Sequence, residues 1–220
     1  MLRTITALLA QKRNPQRINV YLDGEFAFGL ARIVAAWLYV GQQLSDEKIA
    51  DLQTDDNLEA AYQKALRLLS HRERSRAEIT QKLQQQDMGE EVIQAVLERL
   101  ERSGLVDDQR FARTWVANRA EFRPRGRRAL AYELSRRGID RQAVQTALND
   151  LDEDSLAYEA AQKQARRWRD LGWNEFRNRL YGFLARRGFN HETCAPVARR
   201  VWAELHPDGV PEHTDDEKVD

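Results

Sequence analysis

The segment SHRERSRAEITQKLQQQDMGEEVIQAVLERLERSGLVDD, residues 70–108, reads as helix, tight turn, helix, tight turn, and the pattern returns twice downstream. Ser75 and Glu78 have capping-box spacing, the hydroxyl serving a helical N–H and the carboxylate reaching back to the cap's own, so a helix is predicted to start there. Ile79 and Leu83 form its apolar stripe, and Ile93, Val96, Leu97 and Leu100 form that of the next helix. Gly104 stops the second helix, because glycine takes the left-handed conformation that closes a C-terminus.

Outward from this segment, a repeat with an offset of about fifty residues emerges. RAEITQKL from Arg76, RRALAYEL from Arg127 and RNRLYGFL from Arg177 superpose Leu83, Leu134 and Leu184. Four positions later come Asp87, Gly138 and Gly188, where a left-handed cap is wanted, then apolar Met88, Ile139 and Phe189. Gly89, Asp140 and Asn190 follow as N-caps, and the next helices superpose Ile93 on Val144, Leu97 on Leu148 and Leu100 on Leu151. Val106-Asp107 and Leu151-Asp152 are equivalent joints, each with an apolar residue before a cap, and Phe111 and Leu156 are placed to close hydrophobic staples. Three tandem three-helix repeats in an elongated, curved body are the expectation. Pro196 breaks the pattern, so the last helix is expected to start late or to kink.

Residues 5–29, ITALLAQKRNPQRINVYLDGEFAFG, carry alternating and β-branched runs broken at Asn14-Pro15 and Asp23-Gly24, which predicts a small antiparallel sheet of two or three strands. So small a sheet needs a cover. A helix over Leu30 to Tyr39, ended by Gly41, is expected to supply it, followed by a short helix from Asp46 to Leu52 capped by Ser45. The fold class is therefore mainly α, with a β-hairpin/helix extension over 1–54, repeats over 55–106, 107–151 and 152–205, and a disordered acidic tail over 206–220.

The formal net charge of zero conceals an asymmetry: residues 110–204 carry +8 and residues 205–220 carry −5. A single cysteine, Cys194, cannot form an internal disulfide and lies on a mixed apolar face as a core thiol. No charged-then-apolar leader and no membrane-length apolar run is present, which makes a soluble cytoplasmic protein the default.

Catalytic signatures are missing: there is no phosphate-binding glycine loop, Cys-x-x-Cys, His-Glu-x-x-His or nucleophile elbow. His71, His191, His206 and His213 lie in unrelated contexts and read as polar surface. Asp107-Asp108 and Asp152-Glu153-Asp154 resemble metal-holding carboxylates, yet each marks a helix start, where acidic groups complement the dipole. Trp115, Trp168 and Trp202 fall at helical spacing with other apolar residues and read as core.

The arginines carry more. NRAEFRPRGRRALAYELSRRG, residues 118–138, contains Arg119, Arg123, Arg125, Arg127, Arg128, Arg136 and Arg137, with Phe122 and Pro124 among them. Arg166, Arg167, Arg177, Arg179, Arg186 and Arg187 continue the series. Arginine rather than lysine suits bidentate contact to phosphate or carboxylate. Arg136-Arg137 and Arg186-Arg187 hold the same place in successive repeats, immediately before the capping glycine. Any one of them could simply offset a helix dipole; the collective excess predicts a track for an anionic partner, either a phosphate backbone or an acidic protein groove.

SHRERSRAEITQKL, VLERLERSGLVDDQRFARTWV and GRRALAYELSRRGID closely resemble the signatures of the RecX family, regulators of the RecA recombinase. The likeness covers about residues 57–205 and runs through Arg72, Arg74, Ser75, Arg76 and Glu78, then Gly104, Asp107, Asp108, Phe111 and Ala112, then Gly126, Leu134 and Gly138. It implies a non-enzymatic modulator, typically an inhibitor, that binds RecA filaments on single-stranded DNA and reduces filament extension, ATP hydrolysis, strand exchange and coprotease activity. The thirteen arginines are then the candidate RecA- and DNA-binding residues. No cofactor, metal or membrane is implied, and the elongated repeat favours a monomer. The alternative is a helical-repeat DNA-binding protein acting without RecA; a nuclease built on the aspartate clusters is the third class considered.

Overall fold

The computed structural model describes residues 1–207, so the acidic tail, apart from His206 and Pro207, and His213 lie outside the described residues. The chain divides into two compact units, Met1–Val106 and a second beginning at Asp107.

The first unit opens with four antiparallel strands, β1 (Leu2–Gln11), β2 (Asn14–Leu22), β3 (Glu25–Ala31) and β4 (Gln43–Ser45), in spatial order β3-β2-β1-β4. The Asp-Gly pair makes the β2–β3 turn, with φ of 53° at Asp23 and 94° at Gly24. The sheet has four strands where two or three were expected, because the residues after Gly41 return as β4 beside β1. Pro15 is not a break but the second residue of β2. Ile5, Val20, Leu22 and Leu30 are buried on one face of the sheet.

The cover differs from the expected one. Leu30–Tyr39 forms no α-helix: β3 runs to Ala31, and only a single 3-10 turn, Val34–Trp37, follows. Instead α1 (Asp46–Leu69), capped by the Ser45 hydroxyl, runs for 24 residues rather than stopping at Leu52. Its Leu52 joins the core under the sheet, while Ala61 and Ala65 belong to the core of the first repeat. Buried Asp56 pins sheet to helix, accepting from Ala31 N–H at 2.5 Å and from an Arg17 guanidinium nitrogen at 2.8 Å.

The three repeats are α1 with α2 (Arg76–Gln84) and α3 (Glu90–Arg102); α4 (Asp108–Phe122) with α5 (Arg127–Ser135) and α6 (Arg141–Leu148); and α7 (Glu153–Ala165) with α8 (Trp173–Arg186) and α9 (His191–Leu205). Each encloses its own apolar cluster, centred on Ile79, Leu83, Ile93 and Leu97, on Leu130, Leu134 and Val144, and on Leu180, Leu184 and Val197. The predicted caps recur in register: φ is +56° at Asp87, +75° at Gly138 and +87° at Gly188, and Gly89, Asp140 and Asn190 are N-caps. Two features of the third repeat differ from expectation. Helix α8 begins a turn before Arg177, capped by Gly172, and the added turn buries Phe176 against Trp202 at a ring separation of 5.1 Å. Helix α9 does not start late: it begins on the Asn190 cap and runs through Pro196.

Within the second unit the second and third repeats meet where Leu151 packs against both of their cores. Gly126 N–H donates to the Arg187 carbonyl at 2.9 Å, and a Cβ on Gly126 would lie 2.2 Å from the Gly188 carbonyl oxygen.

Candidate functional site

The candidate interface of the second unit is built around the helix-two segments of its two repeats and the loop, residues 123–126, that leads into α5. Leu130 and Leu134 anchor α5, and Phe176, Leu180 and Leu184 anchor α8, so the intervening basic positions face outward or back across the helix ends.

The structure sorts the thirteen arginines into two groups. Glu133, only 17 % exposed, gathers the first: it accepts from Arg119 Nε at 2.9 Å and Trp115 Nε1 at 2.8 Å, with Arg125 Nε at 3.2 Å. Burial raises the Glu133 carboxyl's pKa, but the hydrogen bonds from Arg119 and Trp115 and the charges of Arg119 and Arg125 outweigh it, leaving it below the ordinary value. Arg137 lies over the Trp115 ring at 3.7 Å and donates to the Glu133 carbonyl at 2.9 Å. Arg127 donates to the Leu148 and Leu151 carbonyls at 2.5 and 2.6 Å, and its backbone N–H is taken by Glu153 at 2.9 Å. Arg187 stacks on Phe183 at 4.6 Å and donates to the Pro124 carbonyl at 3.2 Å. These five arginines hold the unit together.

The second group projects outward. Arg123, Arg128, Arg136, Arg166, Arg167 and Arg186 are exposed and Arg177 is half-buried, and none of the seven has a carboxylate partner among the described residues. Arg179 is exposed but paired with Glu175 at 2.7 Å. Each repeated Arg-Arg pair therefore divides by exposure: Arg137 and Arg187 fold back on a half-buried aromatic ring and a carbonyl, while Arg136 and Arg186 are exposed, Arg136 5.9 Å from the exposed Tyr132 ring.

The close approach of Gly126 to Gly188 concentrates charge at one place. It sets the 123–126 loop beside the end of α8, so that Arg125 neighbours Arg187. Burial, and after it the charge of Arg125, lowers the pKa of the Arg187 guanidinium. Phe122, 65 % exposed, adjoins the same loop. Clustered guanidinium groups with an aromatic beside them suit phosphates or carboxylates arrayed on a large partner.

Glu133 was not singled out from the sequence, since nothing in a lone helical glutamate marks it as the acceptor of three donors. Gly126 was legible only as a member of the family pattern.

The groups weighed for other chemistry have structural roles. Asp107 and Asp152 cap α4 and α7, accepting from Arg110 and Ser155 N–H at 2.9 and 3.0 Å. Among the described residues, no group of three or more His, Cys, Asp or Glu side chains could hold a metal ion, and no helix is long and apolar enough to cross a membrane. Cys194 is buried, and burial pushes its thiol up to about 11. His191 packs edge-on against Tyr181, and His206 stacks on Trp202 with Nε2 2.7 Å from the Arg169 carbonyl. Trp202 is buried, and Trp115 and Trp168 pack against the cores of the second and third repeats.

Comparison with known proteins matches four family models in chain order: the regulatory protein RecX N-terminal domain over residues 3–45, and the first, second and third RecX three-helix domains over 61–100, 107–148 and 152–207. Regulatory protein RecX of Chlorobium phaeobacteroides strain BS1 is 39 % identical over 150 residues, covering 68 % of this chain and 97 % of that protein. The Bacillus subtilis strain 168 protein of the same name is 28 % identical over 209 residues, covering 93 % of this chain and 79 % of its own. A crystal structure of regulatory protein RecX superposes with a TM-score of 0.74 at 28 % identity, covering 87 % of this chain and 96 % of that one. A RecX structure from Lactobacillus salivarius, at 24 % identity and a TM-score of 0.62, shares the fold over 67 % of this chain and 97 % of its own.

Proposed function

This chain belongs to the RecX family of regulatory proteins, and from that premise we propose that it regulates the RecA recombinase by binding RecA filaments on single-stranded DNA. It acts without catalysis, restraining filament extension and with it ATP hydrolysis, strand exchange and coprotease activity. The observation that carries the reading is the division of each Arg-Arg pair in the second unit. Locking Arg137 and Arg187 inward leaves Arg136 and Arg186 exposed at equivalent positions of successive repeats. An anionic assembly large enough to meet both repeats is the partner such an arrangement suits. Gripping neighbouring protomers of a filament hinders the conformational cycling that hydrolysis requires. A molecule held at a growing end hinders addition.

The competing reading, a DNA-binding protein acting without RecA, rests on the same arginines. Salt separates the two, because pure phosphate binding weakens steeply with ionic strength. Co-sedimentation with RecA-coated and with bare single-stranded DNA, over a series of salt concentrations, is the test. The proposal expects retention on the coated strand at salt that abolishes binding to the bare one. Equal loss from both supports the competitor.

A further inference from the structure

The first unit carries a cavity of about 560 Å³ that the reading above does not use. It lies between the start of β2, the end of β3 and the second half of α1, and Arg17, Arg32, Ile33, Glu59, Lys64 and Arg67 line it. Its acidic groups are already satisfied: the Glu59 carboxylate takes Arg99 at 2.7 Å and Gln63 at 2.9 Å, and Asp56 behind it takes Arg17 and the Ala31 N–H. Arg32, Lys64 and Arg67 have no carboxylate partner among the described residues. Arg17 is fixed at the wall by Asp56 and the Gly29 carbonyl. The cavity is thus a cationic spot in a unit that is slightly acidic as a whole.

Shortly after its wall in the chain come two exposed aromatic rings. Ile33 of the wall leads directly into the 3-10 turn ending at Trp37, which is 88 % exposed, and Tyr39 two residues on is exposed as well. At roughly 2 Å of rise per residue, Trp37 stands about 8 Å along the turn from the wall. That is close to the reach from a phosphate to its own base. An acidic peptide would satisfy the cations but has no use for the rings.

We propose that this cleft is a second binding site, for the sugar-phosphate chain of a single-stranded nucleic acid, with phosphates held by Arg32, Lys64 and Arg67 and a base stacked on Trp37. The site belongs to the first unit, uses none of the thirteen arginines above and needs no recombinase. It gives a RecX-family chain that carries the strand-containing extension a hold on exposed single strand.

The test uses the full chain and oligothymidylate, reading both affinity and the fluorescence quench that disappears in Trp37→Phe, which isolates this site from the second unit. In Arg32→Glu/Lys64→Glu that quench should vanish, affinity should fall at least tenfold, and the log–log salt slope should drop by about 1.4, two single-strand phosphate contacts. Arg32→Ala/Lys64→Ala should show the same direction. Lys48→Glu/Lys82→Glu, with the same charge change away from the cleft, should keep the quench. An undiminished quench in the cleft variants, equal weakening in the control, or the same quench from poly-glutamate would overturn the proposal. Retention on RecA-coated DNA at high salt is read separately and does not depend on this outcome.

Discussion

Gly126 and Gly188 touch backbone to backbone: a Cβ built on Gly126 falls 2.2 Å from the Gly188 carbonyl oxygen and 2.5 Å from the Phe189 nitrogen, while Gly126 N–H holds the Arg187 carbonyl at 2.9 Å. Gly126 has an ordinary extended φ of −73°, so its role is spatial rather than conformational. Gly126→Ala should therefore force the two repeats of the second unit apart and cost about 3 kcal/mol, as overpacking does. Gly172, the equivalent N-cap in the third repeat, has nothing within 4 Å, and Gly172→Ala should cost under about 1 kcal/mol. Denaturant titration of both variants checks the contrast; similar losses would remove the close approach as the reason for glycine at 126.

Glu133 holds Arg119, Arg125 and Trp115 in one arrangement. Glu133→Gln leaves two guanidinium groups without their carboxylate and should destabilise the second unit by about 2 kcal/mol. Because the folded carboxyl lies below its ordinary 4.5, its contribution is present above that value and is lost as pH falls through the folded pKa. The variant should accordingly show a shallower acid limb in a stability profile between pH 6 and pH 2, where the parent falls.

Asp107 distinguishes capping from metal chemistry. The hydrogen bond from Arg110 N–H lowers its pKa, and Asp107→Ala should cost about 1 kcal/mol as other cap removals do. Incubation of parent and variant with DNA and Mg²⁺ should yield no cleavage from either. Magnesium-dependent cleavage lost in the variant would restore the nuclease reading.

Cys194 offers a reporter of opening. Burial pushes its thiol up to about 11, so labelling at neutral pH should await exposure of the third-repeat core. The labelling rate should rise with urea in parallel with loss of helical signal; rapid labelling in buffer alone would contradict the buried placement.

The repeats were legible because caps, glycines and apolar stripes coincide at one offset, and each is a local requirement. Asp87 shows this well: it stands where the other repeats have glycine and takes the same left-handed conformation, φ +56°. The extension was less legible. Leu30 to Tyr39 is apolar enough for a helix, but Leu30 belongs to β3 and Trp37 faces solvent, because α1 already covers the sheet. Length misled at α1 too, since its first half serves the sheet and its second half the first repeat, and no stop signal separates them. Among the arginines, sequence gave position but not direction. Arg136 and Arg137 are adjacent and identical in type, yet Arg137 joins Arg119 at the half-buried Trp115 ring while Arg136 lies 5.9 Å from the exposed Tyr132 ring. A double reversal that includes Arg137 would confound folding with binding, so the outward pair, Arg136 and Arg186, is the informative one.

ATP turnover by RecA on single-stranded DNA, titrated with the parent chain and with Arg136→Glu/Arg186→Glu, tests the account most directly. The parent should suppress turnover, and the variant, with unchanged helical content and denaturation midpoint, should need at least tenfold more protein for the same effect. Equal suppression by a folded variant would show that the outward guanidinium groups of the second unit are not what holds the filament.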